Sequence, residues 1–289
     1  MFYKVLVYFK KLFITFYNVV IDIIYPKKCL KCGELGSYLC PICRDTLPLN
    51  PIISCYLCHK PNIDGQVCST CRNKYHPPVK GILIASDWKD ETLQKVIKNL
   101  KYKFVRELSE VLGNILSDFL IIHWGQISWL NTQRRIYFCP IPLHHRRLIE
   151  RGFNQSELIA RQMADSLKKS GYWLDNFRYA DDLLIRKKYS RPQAEIKNIL
   201  VRRKNIQGAF NTILPTASPS QVDADKTRIS ANRMRVGADR TRTNIEDVQG
   251  QIVILIDDVV TTGATVEEAA RALKPLRPKE IWGLAVARG

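Results

Sequence analysis

Asp257 and Asp258 stand side by side after the apolar run Ile252–Ile256, and Thr261-Thr262-Gly263-Ala264-Thr265 begins three residues later. An apolar run that ends in acids and then in small, hydroxylic residues reads as a strand running into the N-terminus of a helix. Backbone N–H groups from Thr261 to Thr265, with the hydroxyls of Thr261, Thr262 and Thr265, can cradle a phosphate monoester there. Gly263 lets the backbone come close. Two carboxylates just upstream suit the vicinal hydroxyls of a ribose, so a ribose 5-phosphate is the natural occupant. A receiver domain also ends a strand in acids, but those acids open the domain, and here the chain stops at Gly289. No G-x-x-x-x-G-K-[ST] occurs, which removes a nucleotide P-loop.

Eight of the nine cysteines fall in four C-x-x-C pairs: Cys29 and Cys32, Cys40 and Cys43, Cys55 and Cys58, Cys68 and Cys71. Soft sulfur ligands in sets of four, with no position left open, are what structural Zn2+ requires. Redox use of a single pair and an iron–sulfur cluster use the same residues and are weaker readings. The two similar halves favour neighbouring quartets over cross-braced ones, and reduced thiols favour a cytoplasmic chain. Such sites do no chemistry themselves; they leave a structural lid or a binding module as the role. Cys139 lies outside the pattern, in a strand-like run, and reads as a core thiol.

The elements that would hold these groups follow from periodicity. Residues from Trp88 to His123 carry apolar positions at helical spacing (Leu93, Ile97, Leu100; Leu108, Leu112, Ile115, Leu116, Phe119), interrupted at Lys101-Tyr102-Lys103, which implies two helices and a basic turn. "RIYFCPIPL" is a buried strand, followed by a loop with Arg146, Arg147 and Arg151. Asn154 with Glu157 resembles a capping box at the start of the next helix, which Gly171 ends. We read this strand, basic loop and helix as the first unit of a parallel sheet. "DDLLIRKK" and "EIWGLAVAR" supply further strands, and the polar stretch between Tyr189 and Phe210 reads as a segment covering substrate. The fold class is α/β: an open, mostly parallel sheet with helices on both faces and a ligand at the strands' carboxyl ends.

Residues 1–25 read as an amphipathic helix, because Lys4, Lys11, Thr15, Asn18 and Asp22 recur every three or four positions. Docking on the protein itself or on a partner is preferred for it over contact with a membrane surface, and a span is disfavoured. Residues 26–76 form the cysteine module and 80–289 the α/β domain. A stretch at about 215–247 holds three seven-residue units starting at Val222, Ile229 and Val236, too thin in apolar residues for a coiled coil, and is expected to be a disordered insertion. Lys and Arg exceed Asp and Glu by 18, which suits a polyphosphate, nucleic acid or an anionic surface.

At this point the chain resembles a known family. The strand, acid pair and Thr-Thr-Gly loop are similar to the signature of type I phosphoribosyltransferases, which bind phosphoribosyl pyrophosphate (PRPP). With "CLKCG…CPIC", "LKYKFVRELSEVLG", "PIPLHHRRLIERGFNQSELIA" and "RRKNIQGAF" added, the whole resembles the ComF proteins of competence and DNA uptake, which join a zinc-ribbon module to such a domain. The resemblance implies that Asp257 and Asp258 contact the ribose hydroxyls and are the catalytic pair. Thr261, Thr262, Gly263, Ala264 and Thr265 would hold the 5-phosphate, and Leu143, His144, Arg146 and Arg147 would approach the pyrophosphate. Arg151, Asn154 and Gln155 would lie on the substrate side. Zn2+ at two structural sites and Mg2+ arriving with PRPP are the implied cofactors.

Two functions are carried forward. The first is transfer of phosphoribosyl from PRPP to an acceptor with release of pyrophosphate. The second is a non-catalytic protein that binds single-stranded DNA or a DNA-processing partner and keeps the PRPP site as a sensor or relic. A homodimer is carried as a candidate assembly. His144 and His145 beside three arginines read as phosphate or solvent contacts before general bases.

Overall fold

The structure is a computed structural model and describes residues 26–47, 49, 51, 53–189, 205–212 and 245–289. The expected helix at 1–25, most of the covering segment between Tyr189 and Phe210, and the repeat insertion up to residue 244 lie outside the described residues. Among the described residues no helix is long and apolar enough to cross a membrane.

A five-stranded parallel sheet forms the centre. Its strands are β1 (Gly81–Asp87), β2 (Ile136–Pro140), β3 (Phe177–Tyr179), β6 (Ile252–Val260) and β7 (Glu280–Arg288), in the order β1-β7-β6-β2-β3. A two-stranded antiparallel ribbon, β4 (Leu184–Arg186) with β5 (Phe210–Thr212), stands apart from it. The sheet therefore starts one strand earlier than the sequence reading placed it. Its first unit is β1, whose apolar run Gly81–Ser86 lies just ahead of the helical periodicity that drew attention to Trp88.

Both faces of the sheet are covered, as near-continuous apolar strands require. Along β6, Ile252, Ile254 and Ile256 enter one core and Val253 and Leu255 the other. The first core lies under three helices. Helix α3 (Glu91–Tyr102) buries Leu93, Val96, Ile97 and Leu100 and starts at Asp90, whose carboxylate accepts from Leu93 N at 2.6 Å. Helix α4 (Leu108–Ile122) and helix α6 (Gln155–Lys169) pack on each other, with Gly113 so close to α6 that a Cβ there would meet Gln162 and Met163 backbone. In that layer Phe138, Phe119 and Trp282 are fully enclosed. Each such side chain contributes about 2–3 kcal/mol on leaving water. The opposite core lies under helix α8 (Ala264–Leu273) and the β4–β5 ribbon. Cys139 is wholly buried there and burial pushes its thiol pKa up, as a core residue.

Two short helices, α1 (Pro41–Asp45) and α2 (Ser69–Tyr75), belong to the cysteine module, and α7 (Ile245–Val248) is one turn leading into β6. The stretch read as a basic loop after β2 is instead largely helical: α5 (His145–Arg151) ends at Gly152 in the left-handed region (φ 73°). The Asn154–Glu157 spacing does not make a capping box. Asn154 occupies the N-cap of α6 without a capping bond; its Nδ2 donates to Ile141 O at 3.1 Å, and Glu157 pairs with Arg161.

The crevice arises from unequal strand lengths. β2 pairs with β6 only as far as Pro140 opposite Ile256, whereas β6 stays paired with β7 out to Val260 opposite Arg288. From Asp257 onward β6 is open on its β2 side. The chain leaves β2 toward β3 on one side and β6 toward β7 on the other, so this gap is the switch point at which open α/β sheets bind ligands.

Candidate functional site

Asp257 and Asp258 stand at the head of that gap, and two helices reach them. Ser156, in the first turn of α6, donates from Oγ to Asp257 Oδ1 at 3.2 Å, and the same oxygen accepts from Asp258 N at 2.9 Å. Lys101, at the last turn of α3, places Nζ 2.8 Å from Asp258 Oδ1. Asp258 is 2% exposed, and its Oδ2 has no hydrogen-bond partner among the described residues. A buried acceptor left without a partner beside the switch point is what a ligand hydroxyl or a cation would satisfy.

Removal from water, with the neighbouring Asp258 carboxylate, raises the Asp257 pKa to about 7, against the opposing pull of Lys101 and of its hydrogen bonds. Cations surround the pair. Arg151 is drawn by Asp258, though burial lowers its pKa, and its Nη1 donates to Gln155 Oε1 at 2.9 Å. Burial lowers the Arg186 pKa to about 10 while Asp257 favours its charge and Arg147 opposes it. Two acids with Lys101, Arg147, Arg151 and Arg186 around them suit a ligand that is both polyol and polyanion.

The Thr-Thr-Gly stretch turns directly into α8. Gly263 is its N-cap in the left-handed region (φ 78°), and Thr262 Oγ1 accepts from Ala264 N at 3.4 Å. Thr261, Thr262, Ala264 and Thr265 thus lie on the turn and first residues of a ten-residue helix, at the positive end of its dipole. Of the other residues singled out from sequence, Arg147, Arg151, Asn154 and Gln155 gather beside the acids, and Leu143 precedes α5 at the same edge. His144 has a different job. It is 6% exposed; Nδ1 accepts from Arg146 N at 3.3 Å and Nε2–H donates to Lys187 O at 3.1 Å, and burial together with His145 lowers its pKa. Both ring nitrogens are engaged, in a neutral tautomer that caps α5 and ties it to the end of β4. Arg146 and Arg147 stack over the Tyr189 ring at 5.6 and 5.7 Å.

Spacing alone places Lys101 in a basic turn with Tyr102 and Lys103. The latter two are exposed; Lys101 alone turns inward, at 18% side-chain exposure. Lys101→Met should leave the Asp258 carboxylate buried without its cation and destabilise the fold by about 2 kcal/mol, the usual figure for breaking a buried pair reduced because Lys101 keeps some contact with water. Urea unfolding at neutral pH measures this, and a change below about 0.5 kcal/mol would mean the pair carries no weight.

The eight paired cysteines gather as two neighbouring quartets, Cys29/Cys32/Cys40/Cys43 and Cys55/Cys58/Cys68/Cys71, with all sulfurs of each within 4.8 Å of one another. Cys32 and Cys40 sulfurs lie 3.7 Å apart and Cys58 and Cys68 sulfurs 3.6 Å apart. Sulfurs at about 2.3 Å from a tetrahedral Zn2+ are separated by roughly 3.8 Å, so the donor set fits that ion. Burial disfavours ionisation of Cys29, but the N–H groups of Cys32, Cys40 and Lys31 outweigh it and hold its pKa at about 6. Burial and the other thiols push Cys43 up to about 12. Each quartet could hold a zinc ion.

Residues 156–287 match the family described as "Phosphoribosyl transferase domain". The "DNA utilization protein YhgH" of Escherichia coli (strain K12) is 25% identical over 245 residues, covering 84% of this chain and 86% of that protein. The protein of the same name in Salmonella typhimurium is 26% identical over 71% of this chain and 70% of its own length. "Competence protein F" of Haemophilus influenzae is 29% identical over 150 residues, 51% of this chain and 49% of that protein. These likenesses, with the two cysteine quartets, fit a ComF-type protein. A protein of that type would account for both halves of the structure: the two cysteine quartets ahead of the sheet, and a phosphoribosyltransferase domain whose strand β6 carries the acid pair just past the end of its pairing with β2.

Proposed function

We propose that this ComF-type protein binds PRPP with Mg2+ and transfers the phosphoribosyl group to an acceptor, releasing pyrophosphate. The observation that carries the reading is the pairing of a buried, unsatisfied Asp258 Oδ2 with a helix N-terminus a short way along the chain. One end suits ribose hydroxyls and the other a phosphate. In this reading Asp257 and Asp258 accept from the two hydroxyls, with Lys101 and Ser156 fixing their orientation, and Thr261 to Thr265 hold the 5-phosphate. Arg147, Arg151 and Arg186 stand where negative charge would gather on the departing group. The open Asp258 oxygen and the acid pair are hard donors that fit a divalent ion carried by the substrate, and Mg2+ when bound would help neutralise the pyrophosphate.

The β4–β5 ribbon contributes a wall. It is tied to α5 through His144 and Lys187 and to α8 through Gly208 N, which donates to Glu268 Oε1 at 2.7 Å. That wall would limit water at the anomeric carbon, where water competes with the acceptor. A second reading, binding of single-stranded nucleic acid, draws on exposed Tyr102 and Tyr189, each stacked by arginine at the same edge.

Calorimetry with PRPP and Mg2+ tests the first reading. We expect one site per chain at micromolar affinity, lost when PRPP is replaced by free ribose. No heat with PRPP, alongside salt-sensitive binding of single-stranded DNA, would replace it with the second.

A further inference from the structure

The second cysteine quartet is built into the phosphate loop's support. Tyr56 lies inside its first knuckle, between the ligands Cys55 and Cys58, and is 3% exposed. Its ring fills the space behind Gly263: a Cβ on Gly263 would stand 2.8 Å from Tyr56 Cε2 and 2.9 Å from Cδ2. Its hydroxyl donates to Glu267 Oε1 at 2.8 Å, and Glu267, 4% exposed, is the residue whose N–H closes the first turn of α8 on Gly263 O at 2.8 Å. The backbone of the same knuckle is pinned from the sheet, where Arg288 Nη2 donates to Tyr56 O at 3.0 Å and lies 3.1 Å from His59 Nε2. Tyr56 therefore touches both residues that define the turn from Thr-Thr-Gly into α8.

Among the described residues the first quartet shows no such route. Cys29, Cys40 and Cys43 share the other core with α4, and the outer tie is Lys27 to Glu107 at 2.8 Å. One module reaches the helical layer; the other reaches the loop.

The metal that its cysteines share ties the two ends of this knuckle together, and the Arg288 bond to Tyr56 O holds only its middle. The direction of the Tyr56 ring is then set by the same ion. We propose that metal at Cys55, Cys58, Cys68 and Cys71 controls the phosphate loop: it holds Tyr56 against Gly263 and Glu267, and its loss loosens residues 261–267 and weakens anion binding there. This rests on the PRPP reading for the identity of the anion, and not for the mechanical link. Tyr56 is a positioning residue, acting on the ligand only through the loop. By linkage, ligand bound at the loop strengthens metal retention at the second quartet by the factor by which the metal strengthens ligand binding.

Hydrogen exchange on the full ligand-free chain tests the link. Cys58→Ser, which unloads the second quartet, should speed exchange of the amides across 261–267 by about tenfold, as expected when a small local opening is released. Cys32→Ser, which unloads the first, should leave those amides unchanged. Tyr56→Leu should reproduce the effect of Cys58→Ser with both metals retained, and Tyr56→Phe, which keeps the ring and loses only the bond to Glu267, should restore most of the protection. Equal exchange in Cys58→Ser and wild type, or an equal rise in Cys32→Ser, overturns the proposal. PRPP titration of Tyr56→Leu should show affinity about tenfold weaker, close to 1.4 kcal/mol. Absence of PRPP binding by the wild type would remove the ligand assignment and leave the exchange result to decide the link.

Discussion

Asp257→Asn is expected to move affinity and stability in opposite directions. In the proposed PRPP complex the carboxylate accepts from a ribose hydroxyl, and losing one charge-assisted hydrogen bond of this kind weakens binding by about 2 kcal/mol, roughly 30-fold. The free protein should gain. Its folded-state pKa of about 7 lies above the ordinary value of 3.8, so the folded chain holds that proton more tightly than the unfolded chain does. The stability this contributes is fully present below about pH 4 and is lost as the pH rises through about 7. Above that, a charged carboxylate beside Asp258 is a standing cost that asparagine removes while still accepting from Ser156 and Asp258 N. The variant should match wild type near pH 4 and exceed it by on the order of 2 kcal/mol at pH 8, measured by urea unfolding at both values. Equal stability at pH 8 would show that Lys101 and the surrounding arginines already neutralise the site. A binding residue held at a cost to the fold is the pattern expected of a functional site.

Metal removal should have the other large effect. The described part of the cysteine module has few apolar side chains of its own, chiefly Leu39, Leu47, Tyr56 and Val67, and its buried thiols occupy the places a core would fill. Structural Zn2+ in small modules contributes on the order of 10 kcal/mol of apparent folding free energy. We expect two zinc ions per chain by metal analysis, and after chelation a loss of ordered structure across residues 26–76 that extends into α4, since Leu39 and Leu47 share its core. A chain whose exchange pattern is unchanged by a strong chelator would show that packing alone holds the module.

The groups legible from sequence were those whose partners are close along the chain. The C-x-x-C pairs lie within a few residues of their quartet mates, and the acid pair and Thr-Thr-Gly share one strand–helix junction, so spacing alone exposes their chemistry. Lys101 meets Asp258 across 157 residues, and Tyr56 meets Glu267 across 211, contacts that only the parallel sheet creates. A lysine in a basic turn and a tyrosine inside a knuckle carry no local sign of those partners. His144 shows a different failure: its neighbours suggested phosphate, but burial gave its two nitrogens to Arg146 N and Lys187 O. Asn154 has capping-box spacing, yet Ile141 O takes its amide. Helix α5 was hidden because its seven residues are too few to show a periodic apolar face, and none of its side chains is buried. β1 is legible in its apolar run, which the longer helical pattern beside it overshadows.

The junction of the second quartet with the sheet has one more effect. A parallel sheet offers its two outer strands to other chains, and β3 limits that exposure by being three residues long. β1 is seven residues of mostly apolar, β-prone sequence, the sort of edge that recruits a second copy into an aggregate. Residues of the second quartet's hairpin sit on it: Gln66 bridges to Gly81, Val67 N donates to Lys80 O, and Gly65 lies so close that Gly81 has no room for a side chain. The cysteine module thus covers the leading end of the sheet's most adhesive margin, and unfolding that module should make the chain more prone to aggregate.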